Sequence, residues 1–355
     1  MSVGGVQTPP TPAEQAGERS ASLPGFRALS WMRANWIFGV LVVIVVAFSI
    51  DSSHFLSKAN WLNTSSTATE VMLLAVGQTF VIVSGGIDLS VGATLGLSGM
   101  CGAWVMEHFF SHAGVPTGAP ALVTAIGFAV TLVVGGLVGL VNGVLIAQYD
   151  IPPFVVTLGT LGIGTGLADL ISNGQEITEL PLAIGNLGND NLAGWIPIVV
   201  VVTAVVTIFA ALVLAKTRFG ALTYTIGDNR EAAVRAGVAD RAHLRRIYVL
   251  SGALAGVAAM TVMARLAAAS PTSGSDDELN AIAAVVIGGA SLFGGRGTIA
   301  GAVIGTLIIS VLLTGLIIID VPSFWQLVAV GTVLIAAVYI DQLGAGRRLG
   351  VRRGP

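Results

Sequence analysis

Ten stretches of this chain run without a single Asp, Glu, Lys or Arg for about the length needed to cross a bilayer. That constrains its fold more than any other feature. They are Ala34–Ile50, Val71–Ile87, Leu89–Met106, His108–Tyr149, Ile151–Ala168, Asn191–Ala215, Ile247–Ala264, Leu279–Gly295, Gly297–Ile319 and Val321–Ile340. A membrane-spanning helix needs about 20 mainly apolar residues. The fourth stretch is too long for one helix, but Gly114, Pro116, Gly118 and Pro120 interrupt its first part, leaving one span over Ala121–Ala147. Leu89–Met106 and Leu279–Gly295 are short and glycine-interrupted, so broken or partial spans are expected there.

Composition agrees. Only 10% of residues are charged and 54% are hydrophobic, too little polar surface to cover a soluble domain of this size. Glycine reaches 46 of 355 residues with no triplet repeat, which suits close-packed membrane helices rather than a collagen-like or disordered chain. The net charge of −2 offers no basic surface for nucleic acid. Cys101 stands alone, so no disulfide framework forms within the chain.

The seventeen Lys and Arg residues give an orientation, because basic residues concentrate on the cytoplasmic side. Seven lie in Lys216–Arg246, four in the tail from Arg347, and Arg19, Arg27 and Arg33 precede the first span. With six spans before Lys216 and four after Arg246, all three regions fall on one side together with Arg296, leaving only Lys58 and Arg265 outside. Both termini are therefore expected to be cytoplasmic. Residues 1–33 read as a disordered Pro/Ser/Gly-rich tail, 34–343 as the membrane domain with a loop over 216–246, and 344–355 as a basic tail. Ala34–Ile50 reads as an uncleaved span rather than a signal peptide, since Phe48-Ser49-Ile50 is a poor cleavage site.

Glycines recur every four residues at 135/139/143 and 297/301/305, and in single pairs at 92/96, 162/166 and 252/256. Such spacing puts small residues on one helix face, where backbones can approach closely. The spacing fits packing within one bundle or a contact between subunits.

Enzyme chemistry is not expected. Neither Lys58 nor Lys216 follows a phosphate-binding glycine loop, and no nucleophile–base pair stands out. His108 and His112 are four residues apart but lack a third ligand, so no metal site is assigned. Glu70, Asp88 and Asp169 sit at edges of apolar runs, where a carboxylate could serve ion coupling. Asp88 is the most informative, lying in Ser84-Gly85-Gly86-Ile87-Asp88-Leu89-Ser90. Two glycines allow a sharp turn, and an Asp after them can cap the next helix, or line and gate a path. A short echo follows at Gly288-Gly289-Ala290-Ser291, where Ser291 is the capping candidate, too brief to count as a repeat.

The 216–246 loop carries Gly227-Asp228-Asn229-Arg230-Glu231-Ala232-Ala233-Val234-Arg235-Ala236-Gly237. Asp228 with Glu231 three residues later resembles a capping box, and Gly237 is placed to end the helix in a left-handed conformation. The intervening helix is short, with Ala232, Ala233 and Ala236 offering a small surface. It is too small to stand alone, and suits docking to another protein or resting on anionic lipid.

At this point the residues resemble a family. Glu231-Ala232-Ala233 with Gly237 looks like the EAA loop of permease subunits of ATP-binding-cassette importers. Val81–Gly92, Asn142-Gly143, Ile151–Thr160 and Gly288–Thr298 resemble, in the same order, the signatures of the ribose/xylose/galactose branch, a likeness running from Trp31 to Gln342. The resemblance implies an all-α polytopic permease of the cell membrane with no cofactor of its own. ATP and Mg would be bound by a separate cytoplasmic ATPase, docked on Gly227, Asn229, Arg230, Glu231, Ala232, Ala233 and Gly237. It further implies an extracytoplasmic sugar-binding protein and a second permease chain, identical or related. Gln78, Gly85, Gly86, Asp88, Ser90, Asn142, Phe154, Gly288, Gly289 and Ser291 are the candidates for the path or its gate. Three other readings stay open: a branched-chain amino-acid permease of the same superfamily, an ion-coupled secondary transporter using Asp88, and a passive pore or scaffold.

Overall fold

In a computed structural model, residues 24–112 and 120–349 are described. The expected break at Gly114, Pro116 and Gly118 lies outside them, as do the first 23 and last six residues of the two expected tails. The described residues form thirteen helices: α1 (Pro24–Asp51), α2 (Lys58–Val83), α3 (Val91–His112), α4 (Pro120–Gln148), α5 (Pro153–Ser172), α6 (Leu182–Asn189), α7 (Ile198–Lys216), α8 (Arg218–Asp228), α9 (Arg230–Arg235), α10 (Asp240–Leu266), α11 (Asp277–Ile287), α12 (Ile299–Ile318) and α13 (Ser323–Leu349). A two-strand hairpin, β1 (Asn191–Leu192) and β2 (Ile196–Pro197), links α6 to α7.

Local chemistry sets most of the helix starts. The Ser57 hydroxyl accepts from the Asn60 amide to open α2, and Thr298 does the same for Gly301 at the start of α12. Proline at or next to the first helical position begins α5, α6 and α7, where its fixed φ suits a helix and its missing amide has no partner to lose.

Among the described residues, six helices are long and apolar enough to cross a membrane: α2, residues 121–148 of α4, α5, α7, α10 and α12. Residues 37–51 of α1 and 323–339 of α13 are shorter apolar segments. The eighth expected span, 279–295, is a partial one, as its glycines led one to expect. Its helix, α11, has 11 residues, about 16 Å at 1.5 Å per residue, roughly half of a bilayer core. Gly288 and Gly289 stop it. Two other boundaries move outward. α1 begins at Pro24 rather than after residue 33, and α13 continues to Leu349 past the expected boundary at 343. Pro at a first helical position and good helix formers such as Ala, Leu and Arg extend a helix beyond its apolar run.

The core is built around α2 and α10, the two most enclosed of the long helices. α10 packs against α3 and α4, and α2 packs against α11 and α12. α3 also pairs with α4 and α5, as α11 pairs with α12 and α13. The pairings thus describe two four-helix groups, α10 with α3–α5 and α2 with α11–α13, meeting where α2 packs on α10. No repeat was expected, because the likeness noted between the two halves is limited to the short Gly-Gly segments at 85–86 and 288–289. The most extensive pairing is α4 with α10. A methyl group added at Gly135 or Gly139 would overlap a backbone carbonyl of Gly252 or Tyr248, and one at Gly256 would overlap that of Thr131.

Candidate functional site

α2 ends at Val83, and Gly85 follows at φ +87. The Gly85 amide donates to Ile82 O at 2.9 Å and the Gly86 amide to Val81 O at 3.0 Å, a paired closure that satisfies the last carbonyls of the helix. α11 stops in the same way. Gly289 sits at φ +88, its amide donating to Val286 O at 2.9 Å while the Ala290 amide donates to Val285 O at 3.1 Å. The echo seen in the sequence is therefore a shared backbone motif, with Gly85 matching Gly289. The two breaks meet. The Gly295 amide donates to Val83 O at 2.9 Å, and Gly294 lies against Gly85.

The residues after the first break build a buried polar network. Asp88 is 2% exposed. One carboxylate oxygen accepts from the Ser90 amide at 3.0 Å and the Ser90 hydroxyl at 2.6 Å; the other accepts from the Ser251 hydroxyl at 3.2 Å. Asn142 donates to the Ser90 oxygen at 2.8 Å and accepts from the Thr160 hydroxyl at 2.6 Å. One chain of bonds thus ties the α2–α3 break to α4, α5 and α10. Asp88 accepts from the Ser90 amide two residues on, a local turn ahead of α3 and not the expected cap on a helical amide, and it also ties that break to α10. Three of the path candidates, Asp88, Ser90 and Asn142, are brought together here. Sequence reasoning missed Ser251 and Thr160; hydroxyls on apolar helices carry no signal until a partner is placed.

The other candidates lie apart from this network. Gln78 is wholly buried inside α2, and neither of its amide atoms has a hydrogen-bond partner among the described residues. Phe154 stands 54% exposed at the start of α5. Ser291 is a correction. Its hydroxyl accepts from the Phe293 amide at 3.3 Å within a turn, and α12 starts eight residues later, capped by Thr298. The stretch between them turns at Gly294, Gly295 and Gly297, all with positive φ, so Ser291 cannot reach the helix end.

The 216–246 segment folds as α8, α9 and the first turns of α10. The expected capping box is also corrected. Asp228 ends α8, and Asn229 caps α9, its side-chain oxygen accepting from the Ala232 amide at 2.9 Å. Asn229 has the extended backbone a cap needs, with φ −158, whereas Asp228 is still helical. Glu231 instead pairs with Arg235 at 3.3 Å. Gly237 ends α9 as expected, at φ +84, with the Val238 amide donating to Ala233 O at 3.0 Å. The alanines divide: Ala233 is buried, while Ala232 and Ala236 face outward with Glu231, Val234 and Arg235. The outer face is thus less purely alanine than expected, because one side of so short a helix must pack.

This segment touches both breaks. A methyl added at Gly227 would overlap Val83 O and crowd the Gly295 amide. The Tyr224 hydroxyl donates to Gly297 O at 2.7 Å, and burial pushes this phenol's pKa up, keeping it a donor. Arg230, the first residue of α9, donates to Asp240 at 2.8 Å and to Asp150 at 3.3 Å; Arg241 also reaches Asp150 at 3.2 Å. Asp150 occupies the tight turn between α4 and α5 at φ +52. It went unnoticed in the sequence, although it directly precedes Ile151-Pro152-Pro153.

From the last turn of α10, Arg265 holds Glu70, midway along α2, through two bonds of 2.9 and 3.1 Å and reaches Thr67 at 3.2 Å. Glu70 is thereby an ion-paired group inside a long helix, not the edge residue its apolar run implied. Lys58 lies over the Trp195 ring at 4.8 Å, and the Trp61 indole donates to Trp195 O at 3.1 Å. No cluster of three or more His, Cys, Asp or Glu residues able to hold a metal occurs among the described residues.

Comparison with known proteins adds the rest. Residues 60–338 match the family described as "Branched-chain amino acid transport system / permease component". The chain is 35% identical to the D-allose transport system permease protein of Escherichia coli, covering 92% of this chain and 96% of that one. It is 39% identical to the ribose import permease protein of Bacillus subtilis, over 85% and 90%. It is 31% identical to the galactose/methyl galactoside import permease protein of Salmonella typhimurium, over 90% and 97%. No solved structure matches.

Proposed function

Because this chain belongs to the family of transport-system permease components, a multi-pass membrane protein and not an enzyme, we propose that it is the permease of an ATP-driven monosaccharide importer. The observation that carries this reading is likeness along almost the whole chain to permeases named for D-allose, ribose and galactose. The family description names branched-chain amino acids instead, and that is the second reading.

In this account the end bearing α8 and α9 faces the cytoplasm, and a separate ATPase that binds ATP and Mg docks on the outward side of α9. Glu231, Ala232, Val234 and Arg235 form that surface, Asn229 and Gly237 fix the two ends of the helix, and Gly227 seats the segment on both breaks. An extracytoplasmic binding protein delivers the sugar to the opposite end. A second permease chain faces α5, whose outer side bears Phe154, Gly159, Gly162 and Gly166. A methyl at any of these three glycines would meet nothing within 4 Å. The sugar passes between the two chains. Asp88, Ser90 and Asn142 hold the gate below α5 in register, with Gly85, Gly86, Gly288 and Gly289 as its flexible backbone. Gln78, with both amide atoms unpaired, supplies hydrogen bonds when the helices rearrange, since buried amides do not stay unpaired without a reason.

The test is uptake into vesicles holding this chain, its ATPase and its binding protein, with D-ribose, D-allose, D-galactose and leucine as probes. ATP-dependent uptake of a sugar, abolished without either partner, supports the reading. ATP-dependent uptake of leucine alone would move it to the amino-acid branch. Uptake that collapses with an uncoupler and needs no ATP would replace it with ion coupling through Asp88.

A further inference from the structure

We propose that Asp150 is the positioning residue that carries motion of α9 into α5. This rests on the importer reading above. α5 is loosely held; among its twenty residues only Val156, Thr157, Gly164 and Ala168 are buried. Its cytoplasmic end is joined to α4 by four residues, 149–152. Asp150 is the point where that turn is gripped. One oxygen meets Arg230 of α9 and the other meets Arg241 of α10, while Arg230 also holds Asp240.

Three features make this grip mechanical rather than stabilising. The side chains of Asp150 and Arg230 are 54% and 42% exposed, and ion pairs so exposed add little to stability. Pro152 and Pro153 follow after a single residue, Ile151, and their fixed φ angles limit how far the turn can absorb a displacement before α5 begins. A cavity of about 210 Å³, lined by Gly85, Gly86, Pro152, Arg230 and Tyr248 among others, leaves room for the turn to move towards the break. The Tyr248 hydroxyl is unpaired among the described residues and lies beside Gly86 at that cavity, so a shifted turn could engage it. Movement of α5 would then be felt in the gate, because Thr160 is bonded to Asn142 and the Thr157 hydroxyl lies 3.4 Å from Ile87 O.

The test uses the assembled complex in vesicles, measuring sugar uptake and ATP hydrolysis together for wild type, Asp150→Asn, Asp150→Glu, Arg230→Gln and the Asp150→Asn/Arg230→Gln pair. Asp150→Asn is expected to bind the ATPase as wild type does but to raise the ATP spent per sugar by about fivefold or more, the lower end of ordinary site-to-site coupling. Asp150→Glu restores much of the wild-type ratio. The double variant is no worse in this ratio than the more affected single one, because both changes cut one link. The proposal is overturned if Asp150→Asn keeps the wild-type ratio, if its uptake falls only in proportion to lost ATPase binding, or if the two changes add independently. Wild-type vesicles that show no ATP-dependent uptake would instead remove the importer reading, and this role with it.

Discussion

Gly135, Gly139 and Gly143 on α4 and Gly159, Gly162 and Gly166 on α5 follow nearly the same spacing, yet they meet opposite surroundings. On α4 each glycine abuts the backbone of α10, at Gly252, Tyr248 and Arg245. On α5 an added methyl would touch nothing within 4 Å. One face is consumed by packing inside the chain, where small residues let two backbones come together. The other is left for something outside it. Spacing alone marks a smooth face, and only the partner decides whether that face is structural or functional.

This contrast can be broken by substitution. Gly139→Val should have the largest effect, because its side chain must displace the Tyr248 backbone; a loss of about 3 kcal/mol or more is expected, the upper range for overpacking. Thermal unfolding in detergent measures it, and a wild-type midpoint would mean that the α4–α10 contact is not as close as described. Gly162→Val should leave that midpoint nearly unchanged while cutting uptake by about tenfold or more, the scale on which added bulk in a fitted site is felt. Equal uptake would detach the α5 face from transport.

Asn142 tests the junction of the two helices, since it stands on α4 beside Gly143 and bonds to Thr160 of α5. Asn142→Leu leaves the Thr160 hydroxyl without that acceptor and takes a donor from Ser90, which should cost about 1–3 kcal/mol. An unfolding midpoint equal to wild type would show that α5 is not tied to the bundle here. The smallest change is Gly166→Ala. With open space at this position, the helix should gain about 0.5–1 kcal/mol from lost chain freedom, seen as a small rise in the midpoint. A fall would reveal a neighbour that the α5 face does not have in this structure.

Much of this was legible beforehand, and unevenly. The charge-free runs located the long helices because a bilayer demands apolar length, and Gly85, Gly237 and Gly289 were recognisable because a left-handed turn favours glycine. Capping was harder to assign. Asp228, Asn229, Ser291 and Thr298 are all capable caps, and which of them works depends on where the preceding element stops. The network around Asp88 was half visible, through Asp88, Ser90 and Asn142. Thr160 and Ser251 became visible only when α5 and α10 were placed beside the break. Asp150 was hidden for a different reason: its partners lie 80 and 91 residues away, beyond what local spacing can connect.

The claim that the open face of α5 borders the sugar path is tested most directly by thiol labelling. With Cys101 replaced by Ser, Gly162→Cys in the assembled transporter should react with a hydrophilic, membrane-impermeant maleimide, and the reaction should block uptake. A thiol bordering an aqueous path can ionise and react, whereas one buried in hydrocarbon cannot. A Cys at position 162 that stays unlabelled throughout ATP-driven transport would place this face against lipid and contradict the account.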